Sequence, residues 1–262
     1  MYEKVKQYNH QPLIGNDQFM VIAGPCAVEN EENLILSAQF LLENGIHYMR
    51  AGAYKPRTSP YTFQGLEEKG LKILKKVKNI TGIKVVSEIV DINQIPDYEA
   101  NIDIIQVGAR NMQNFTLLKA LGKINKPILL KRGFGSTITE WLYACEYLLN
   151  EGNQQVILCE RGIKTFETMT RNTLDISSIP IVKGLTKIPV LIDPSHSSGR
   201  SDLIIPLSKA SVAVGADGLL IEVHNDPNIA LSDKDETIDF SSFVELIKQI
   251  KLLTDLYQKE II

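Results

Sequence analysis

Residues 127–162, PILLKRGFGSTITEWLYACEYLLNEGNQQVILCERG, decide the fold of this chain. They begin with one short apolar run, PILLKRG, and end with another, QVILCERG. Both runs are apolar at consecutive positions, which is typical of strands buried on both faces in a parallel sheet. The amphipathic segment TEWLYACEYLLNEG between them predicts a helix, and its final Glu-Gly suits a helix C-cap. The stretch therefore predicts a strand–helix–strand unit.

The same pattern recurs along the whole chain. Six further apolar runs are FMVIAG (19–24), IHYMRAG (46–52), KVVSEI (84–89), DIIQVGA (103–109), PVLIDPS (189–195) and DGLLIEVH (217–224). Eight βα units in 262 residues predict a single-domain (β/α)8 TIM barrel of the α/β class. A doubly wound open sheet is the alternative, but AGPCAVEN after the first run lacks its G-x-G-x-x-G turn. We expect residues 19–262 to form the barrel and residues 1–18 to be a short leader that closes its bottom.

Composition and charge limit the functions open to the chain. The formal net charge of -3 argues against a nucleic-acid partner. No apolar run approaches the roughly 20 residues that span a membrane, and the polar start, MYEKVKQYNHQ, lacks a signal-peptide core. Three cysteines give an odd count, which fits a reducing compartment. We therefore expect a cytoplasmic protein that binds neither nucleic acid nor membrane.

Every predicted strand ends in, or is followed by, a charged or reactive residue. These residues are Cys26, Arg50, Glu88, Arg110, Lys131, Arg161, His196 and Glu222. In a barrel the carboxyl ends of the strands converge on one face, where active sites are built. A single strand-end Arg is more often a solvated end than a ligand. The complete set nevertheless predicts an active site at the mouth of the barrel.

Four residues of this set are cations, and two more cations lie in the loop after the second strand. The six are Arg50, Lys55, Arg57, Arg110, Lys131 and Arg161. Lys55 and Arg57 lie in AYKPRTSPY (53–61), where two prolines exclude a regular helix or a central strand. Arg matches phosphate and carboxylate with its planar fork, whereas Lys acts as a compact charge. So many cations on one face of an acidic chain predict a site for more than one anionic group.

A second set combines Cys26, His196 and Glu222 with Asp233, which lies in the loop after the last strand. Thiolate, imidazole and carboxylate together suit a divalent transition metal, whereas oxygen ligands alone would indicate magnesium or calcium. Simpler roles stay open, because Cys26 could be a small buried residue and His196 or Asp233 could cap a turn. His224 is a rival ligand, since two-residue alternation places it on the same side of its strand as Glu222.

Two further carboxylates have open roles. Glu88 could be a general base or could pair with a neighbouring cation. Asp193, three residues before His196, could orient a ligand or hold its loop. Both alternatives follow from the residue types and positions alone.

Eight segments together resemble a known family. They are AGPCAVE, RAGAYKPRTSPYTFQG, QVGARNMQNF, LLKRGF, LCERGIKTFE, DPSHSSGR, GLLIEVHNDP and ALSD. As a set they are similar to the type I beta group of 3-deoxy-D-arabino-heptulosonate 7-phosphate (DAHP) synthases, from about residue 19 to about residue 245. The related 3-deoxy-D-manno-octulosonate 8-phosphate synthases typically have Lys-Ala-Asn-Arg-Ser where this chain has KPRTS (55–59). The loop therefore favours erythrose 4-phosphate over arabinose 5-phosphate as the acceptor.

The resemblance implies a transferase of aromatic amino acid and chorismate biosynthesis. In the first step of the shikimate pathway, phosphoenolpyruvate condenses with D-erythrose 4-phosphate and inorganic phosphate is released. By resemblance, Arg110, Lys131 and Arg161 hold the phosphate of phosphoenolpyruvate, and Arg50 and Lys55 hold its carboxylate. A non-catalytic barrel that binds phosphorylated sugars is an alternative, but it would not need the Cys/His/Glu/Asp set.

The remaining site residues are also implied by the resemblance. Arg57, with Thr58 and Ser59, matches the loop that receives the sugar phosphate. The implied metal ligands are Cys26, His196, Glu222 and Asp233, which leaves His224 a structural or supporting role. The predicted catalytic residues are Lys131, Glu88, Cys26 and His196, of which Lys131 or Glu88 would handle the attacking water.

The implied cofactor is one divalent transition metal per subunit. Some relatives have Asn in place of Cys26 and need no metal, so Cys26 predicts a metal-dependent enzyme. Manganese, iron, cobalt and zinc all suit the predicted ligands. One departure lies beside them: after Asp233 the family usually has Gly and then a Gln-Ser pair, whereas this chain has KDET (234–237).

Assembly and regulation are implied by the resemblance alone. Family members are commonly tetramers, so we expect a homotetramer. Relatives often carry an N-terminal regulatory domain for which the leader has no room. We therefore expect weak intrinsic feedback inhibition by aromatic amino acids, unless a separate regulatory protein supplies it.

Overall fold

A closed parallel barrel forms the centre of the computed structural model, which describes residues 1–10 and 12–262. Its strands are β1 (Gln18–Gly24), β2 (Tyr48–Arg50), β3 (Lys84–Ile89), β4 (Ile104–Val107), β5 (Ile128–Lys131), β6 (Val156–Glu160), β7 (Val190–Ile192) and β8 (Gly218–Glu222). Each strand pairs in parallel with the next, and β1 pairs with both β8 and β2, which closes the sheet. The predicted TIM barrel is confirmed.

Helices alternate with the strands. They are α1 (Glu3–Lys6), α2 (Glu31–Glu43), α3 (Glu67–Thr81), α4 (Ile95–Asn101), α5 (Phe115–Leu121), α6 (Ile138–Asn150), α7 (Ser178–Lys183), α8 (Pro194–Ser198), α9 (Ile204–Ala213) and α10 (Phe240–Leu256). Short 3-10 turns are Ile92–Gln94, Ala109–Asn111, Ser201–Leu203, Pro227–Ile229 and Lys234–Glu236. A last short strand, β9 (Glu260–Ile261), pairs with the start of β1. No helix in the described ranges is both long and apolar enough to cross a membrane.

The strand–helix–strand unit in residues 127–162 has the predicted form. Helix α6 begins with a capping box, in which Thr137 accepts a hydrogen bond from the backbone N–H of Glu140 and the Glu140 side chain returns to Thr137. Its inner face buries Trp141, whose indole N–H donates to the carbonyl of Leu130 in β5. The helix is therefore fixed at its start and against the sheet.

Two apolar layers follow from the alternation of side chains along each strand. One layer fills the barrel interior, for example Met20, Ile22 and Leu129, and the larger layer lies between the strands and the helices. Cys159 belongs to the interior layer and Cys145 to the outer one, which places both thiols in the core. The strands are apolar on both faces because both faces are covered.

The described leader residues contact both layers. The backbone N–H groups of Lys4 and Val5 in α1 donate to the Glu146 carboxylate on α6, at 2.8 and 3.0 Å. Ile14 packs with Met20 in the barrel interior, close to the start of β1. The leader therefore lies on the outside of the barrel at α1 and reaches the interior at Ile14.

Candidate active site and metal centre

The carboxyl ends of the strands meet around one cavity. Of the predicted site residues, those that line it are Lys55, Arg57, Glu88, Arg110, Lys131, Arg161, His196 and Asp233. Arg50, Glu88, Lys131 and Glu222 lie within strands, and the other strand-end residues follow their strands within a few positions. Cations, an imidazole and carboxylates thus share one opening, as the strand ends predicted.

A buried ion pair lies at the base of the site. Arg50 Nη2 is 3.0 Å from Glu222 Oε1, and the two side chains are 5% and 0% exposed. Burial on its own would lower the pKa of Arg50, but the Glu222 carboxylate together with the other acidic groups nearby more than offsets this and raises the pKa. Arg50 Nε and Nη1 are nevertheless buried without a hydrogen-bond partner in the described part of the chain. The pair leaves most of the guanidinium available to a further anion.

Asp193 connects a cation of the site to its histidine. Its Oδ2 accepts from Lys131 Nζ at 2.6 Å and lies 2.7 Å from His196 Nδ1. Asp193 is also the N-cap of α8, where its Oδ1 accepts from the His196 backbone N–H at 2.9 Å. The sequence DPSHSSG builds this turn, because Pro194 suits the first helical position and Gly199 ends the helix with φ 67°.

The protonation of this group follows from its contacts. Burial raises the pKa of Asp193, but His196 and Lys131 outweigh it and hold the pKa well below its usual range. Burial lowers the pKa of His196, and Asp193 only partly offsets this. An ionised Asp193 can only accept, so the neutral imidazole donates from Nδ1 and keeps a lone pair on Nε2.

That lone pair points toward other acceptors. His196 Nε2 lies 3.3 Å from Glu222 Oε1 and 3.9 Å from a Glu236 oxygen. Glu222 Oε1 is buried and receives no hydrogen bond from the described residues, although Arg50 lies nearby. A cation between acceptors that face one another in this way would stabilise them.

One ligand atom each from His196, Glu222, Asp233 and Glu236 lies within 4.8 Å of the other three. Cys26 is outside this group of four, but its Sγ is 2.7 Å from Asp233 Oδ2. Burial raises the pKa of the Cys26 thiol, and the Glu222 carboxylate adds to the effect. A metal ion would reverse this, because a coordinating thiol is deprotonated. The donors present therefore fit a divalent transition metal.

The proline-containing loop after β2 reaches the same corner. Arg57 Nη1 is 3.2 Å from Asp233 Oδ1, and Arg57 Nη2 also contacts the Ser232 hydroxyl. Asp233 has φ 54°, a left-handed conformation that Asp tolerates better than most residues. Thr58 Oγ1 accepts from Arg110 Nη2 at 3.4 Å, whereas Ser59 Oγ accepts from the backbone N–H of Tyr61 at 3.3 Å.

On the other side of the cavity, two cations share an aromatic ring. The guanidinium groups of Arg161 and Arg110 lie 4.6 and 5.3 Å from the centre of the Phe134 ring. Burial lowers the pKa of Arg161, and Asp193 only partly offsets this. Arg161 Nη1 is buried with no hydrogen-bond partner among the described residues. This side of the cavity therefore presents unsatisfied donors.

Glu88 and His224 occupy different surroundings. Glu88 lines the cavity, and its Oε2 accepts from Gln106 Nε2 at 3.1 Å. A Cβ at Gly108 would collide with the Glu88 carboxylate, so a side chain there would displace that carboxylate from its present position. His224 instead lies 3.4 Å from Glu29 and accepts from the Asp226 backbone N–H at 3.0 Å. His224 is therefore outside the group of four clustered ligand atoms.

The model for the family described as the DAHP synthetase I family matches residues 3–259. The chain belongs to this family. A relative named phospho-2-dehydro-3-deoxyheptonate aldolase, from Thermotoga maritima, is 54% identical over 242 residues, which are 92% of this chain and 72% of the relative. A 2-dehydro-3-deoxyphosphooctonate aldolase from Geobacter sulfurreducens is 34% identical over 261 residues, covering 92% of this chain and 94% of that protein.

Solved structures agree with these sequence matches. The crystal structure of the Thermotoga maritima aldolase (DAHP synthase) superposes with a TM-score of 0.92 at 53% identity, over 95% of this chain and 73% of that one. A truncated form of 3-deoxy-D-arabino-heptulosonate 7-phosphate synthase from the same organism gives 0.88 at 49% identity, over 95% and 91%. The predicted family, its barrel and a condensing synthase function are confirmed.

Two residues of the site were not predicted from the sequence. Arg171, in the loop between β6 and α7, lines the cavity and forms an ion pair with Glu236. Glu236 lies in the KDET run that departs from the family pattern, and burial, followed by the Glu222 carboxylate, raises its pKa to about 8. Neither residue is at a strand end, so the strand-end pattern could not find them. The departure in the KDET run was the available signal for Glu236.

Proposed function

We propose that this chain condenses phosphoenolpyruvate with D-erythrose 4-phosphate at the mouth of its barrel and releases inorganic phosphate. The observation that carries the proposal is that buried donors and a buried acceptor, each without a hydrogen bond, lie at the same opening. Among the described residues, buried guanidinium nitrogens of Arg50 and Arg161 have no hydrogen-bond acceptor. The buried Glu222 Oε1 receives no hydrogen bond, although Arg50 Nη2 lies 3.0 Å from it. Two anionic substrates and one divalent cation would satisfy both.

The roles of the cations follow from their positions. We assign the phosphate of phosphoenolpyruvate to Arg110, Lys131 and Arg161, because these residues line one side of the cavity. Its carboxylate is assigned to Arg50 and Lys55, which are both buried and which match the family positions for that group. Like charges on the two substrates repel on approach, and fixed cations reduce that repulsion without reorganising.

The acceptor sugar is assigned to the proline-containing loop. Arg57, with Thr58 and Ser59, is proposed to receive its phosphate, and the contact of Thr58 with Arg110 joins this loop to the phosphoenolpyruvate side. Prolines 56 and 60 restrict the loop, so that little conformational entropy is lost when it binds. The aldehyde would then lie close to the enol carbon that attacks it.

The metal is assigned to Cys26, His196, Glu222 and Asp233, and manganese, iron, cobalt and zinc all suit these donors. An ion held by these residues would supply Lewis-acid chemistry, which would orient the aldehyde and stabilise charge developing on its oxygen. Cys26 and His196 are catalytic in this sense. Asp193 fixes the imidazole orientation through Nδ1, which leaves Nε2 free as a ligand.

The later steps need a group that handles water. C3 of phosphoenolpyruvate bonds to the aldehyde carbon, water adds at C2, and phosphate leaves by C–O cleavage. Lys131 and Glu88 are proposed for the proton transfers, since both line the cavity. If Glu88 is the base, Glu88→Gln will lower kcat far more than it raises KM; an unchanged kcat would exclude it.

Phosphate release with each aldose phosphate tests the whole proposal. The chain is expected to release phosphate with erythrose 4-phosphate much faster than with arabinose 5-phosphate, to lose activity with a chelator and to regain it with a divalent metal. A preference for arabinose 5-phosphate would transfer the assignment to the octulosonate reaction. Tight phosphoenolpyruvate binding without phosphate release would indicate a binding protein.

The proposals for assembly, location and regulation are based on the resemblance to the family and on the free thiols. We propose a cytoplasmic homotetramer, which sedimentation of the purified chain tests directly. The three cysteines are buried and unpaired in disulfides, as a reducing compartment allows. Control by a separate regulatory protein is also proposed, and strong inhibition of the purified chain by Phe or Tyr would contradict it.

A further inference from the structure

Glu236 is a buried acid on an otherwise exposed turn. It ends the 3-10 turn Lys234–Glu236 and is 4% exposed, whereas Lys234 and Asp235 beside it face solvent. Burying a carboxylate is unfavourable unless it gains a partner. The turn could have carried an apolar residue at this position without that cost, so the inward carboxylate requires an explanation.

Its contacts place it at the metal corner. Arg171 forms an ion pair with one Glu236 oxygen, and His196 Nε2 lies 3.9 Å away. A Glu236 ligand atom lies within 4.8 Å of those of His196, Glu222 and Asp233. Arg171 also approaches Asp233, at 3.7 Å, so one guanidinium holds two acids of the corner.

The surroundings of Glu222 Oε1 are a second observation that fits a cation here. Glu222 is fully buried, and its Oε1 receives no hydrogen bond from the described part of the chain, although Arg50 Nη2 lies 3.0 Å away. Arg171 pairs with Glu236 Oε1, the same oxygen that lies 3.9 Å from His196 Nε2. His196 Nε2 and Glu222 Oε1 face each other at 3.3 Å as two acceptors without a proton between them. A bound cation would contact all three residues.

We propose that Glu236 is a further oxygen donor to the divalent metal, that Arg171 holds its carboxylate in place, and that the donor favours manganese relative to zinc. The proposal rests on the proposed function, since it assumes a metal at this corner. Oxygen donors suit the harder Mn²⁺ ion, whereas the Cys26 thiolate suits Zn²⁺. An added carboxylate should therefore change the preference between Mn²⁺ and Zn²⁺ more than it changes the overall affinity for a divalent metal.

A different role would give a different result. If Glu236 only neutralises Arg171 beside the substrate, its removal would change the affinity for phosphoenolpyruvate and leave metal affinity unaltered. If it acts only through its negative charge, any acid on the same turn would have the same effect. Asp235 provides that comparison, because it is the adjacent residue and is exposed.

The test is a metal titration of the metal-free chain, its Glu236→Gln variant and the Asp235→Asn control, each competing with a chromophoric chelator. Glu236→Gln is expected to weaken Mn²⁺ binding by about 10- to 100-fold and Zn²⁺ binding by less, with a changed electron paramagnetic resonance spectrum of bound Mn²⁺. Asp235→Asn should stay within about twofold of the wild type, since its carboxylate is screened by solvent. Equal loss in both variants, or no loss of Mn²⁺ affinity in Glu236→Gln, overturns the proposal.

A second measurement needs no variant. In a crystal structure of the Mn²⁺-loaded wild-type chain, a Glu236 oxygen is expected within about 2.6 Å of the ion, the upper limit for hard cations with oxygen ligands. A Glu236 that contacts only Arg171 in that structure overturns the inference and leaves the proposed function intact. A wild-type chain that binds no divalent metal overturns both.

Discussion

The two sides of the cavity differ in the hydrogen-bond partners that they lack. We call one side the acidic corner, formed by Cys26, His196, Glu222, Asp233 and Glu236, and the other the cationic wall, formed by Lys55, Arg110, Lys131 and Arg161. In the acidic corner, acceptors face one another without enough donors. In the cationic wall, buried Arg161 donors face no acceptor among the described residues. Each side is incomplete in the opposite sense.

Charges of opposite sign so close together could have neutralised one another. Several do, in the ion pairs Lys131–Asp193, Arg57–Asp233, Arg50–Glu222 and Arg171–Glu236. The others are fixed to different strand ends, and the closed barrel keeps those ends apart. Buried polar groups without partners reduce stability, so their persistence at one opening indicates that ligands complete them.

The largest effect is expected from Lys131→Gln, because Lys131 belongs to the cationic wall and also contacts Asp193 of the metal side. Losing this charge should lower kcat/KM by about 10²- to 10³-fold, the usual cost of removing one electrostatic contact in a closed site. Phosphate-release kinetics measure it. Lys164→Gln, which removes an exposed cation outside the cavity, is the control. A loss below tenfold would mean that the wall does not act through Lys131.

Cys26→Ser separates the acidic corner from the wall. Replacing the sulfur should weaken Zn²⁺ binding by about 100-fold or more and Mn²⁺ binding by less, since a direct ligand matters at least as much as a supporting one. Competition titration of the metal-free variant measures this. Cys145→Ala, which removes a buried thiol on α6, should leave metal affinity unchanged. Equal Zn²⁺ affinity in Cys26→Ser and the wild type would remove Cys26 from the ligand set.

Asp193→Asn tests the contact between the two sides. An amide at this position accepts less strongly from His196 Nδ1–H and Lys131, so metal affinity should fall by about 10- to 100-fold. The same titration measures it, with Asp202→Asn as the control because Asp202 is exposed and pairs with Arg200. An unaltered metal affinity would limit Asp193 to holding its turn.

The smallest effect is expected when phosphoenolpyruvate alone binds at the cationic wall. Phosphoenolpyruvate at ten times its Kd should raise the free energy of unfolding by about 1.4 kcal/mol, because it binds only the folded chain. Urea unfolding with and without the ligand measures the shift. Arg161→Gln should reduce the shift, whereas Lys164→Gln should retain it. A shift of equal size in Arg161→Gln would place the phosphate elsewhere.

Much of the fold and of the site could be predicted from the sequence. The eight apolar runs predicted the eight strands because a parallel strand covered on both faces must be apolar at every position. Arg50, Lys131 and Glu222 followed from the same periodicity, since they stand where the apolar run stops. Their function needed the barrel, which brings separate strand ends to one opening.

Arg171 and Glu236 could not be found in the same way. Both lie in long loops, whose conformation depends on contacts between distant segments rather than on a local period. The contact of Arg57 with Asp233 joins residues 176 positions apart. Such pairings depend on the closed barrel, so neither residue type nor spacing could identify them.

Asp193 Oδ2 receives hydrogen bonds from Lys131 Nζ and faces His196 Nδ1, so one oxygen atom serves two binding events. Movement of His196 toward an ion would polarise Asp193 Oδ2. Movement of Lys131 toward a phosphate would remove a hydrogen-bond donor from the same oxygen. If the ion and phosphoenolpyruvate bind where we propose, their binding would be thermodynamically linked, and each would change the other's equilibrium constant by the same factor.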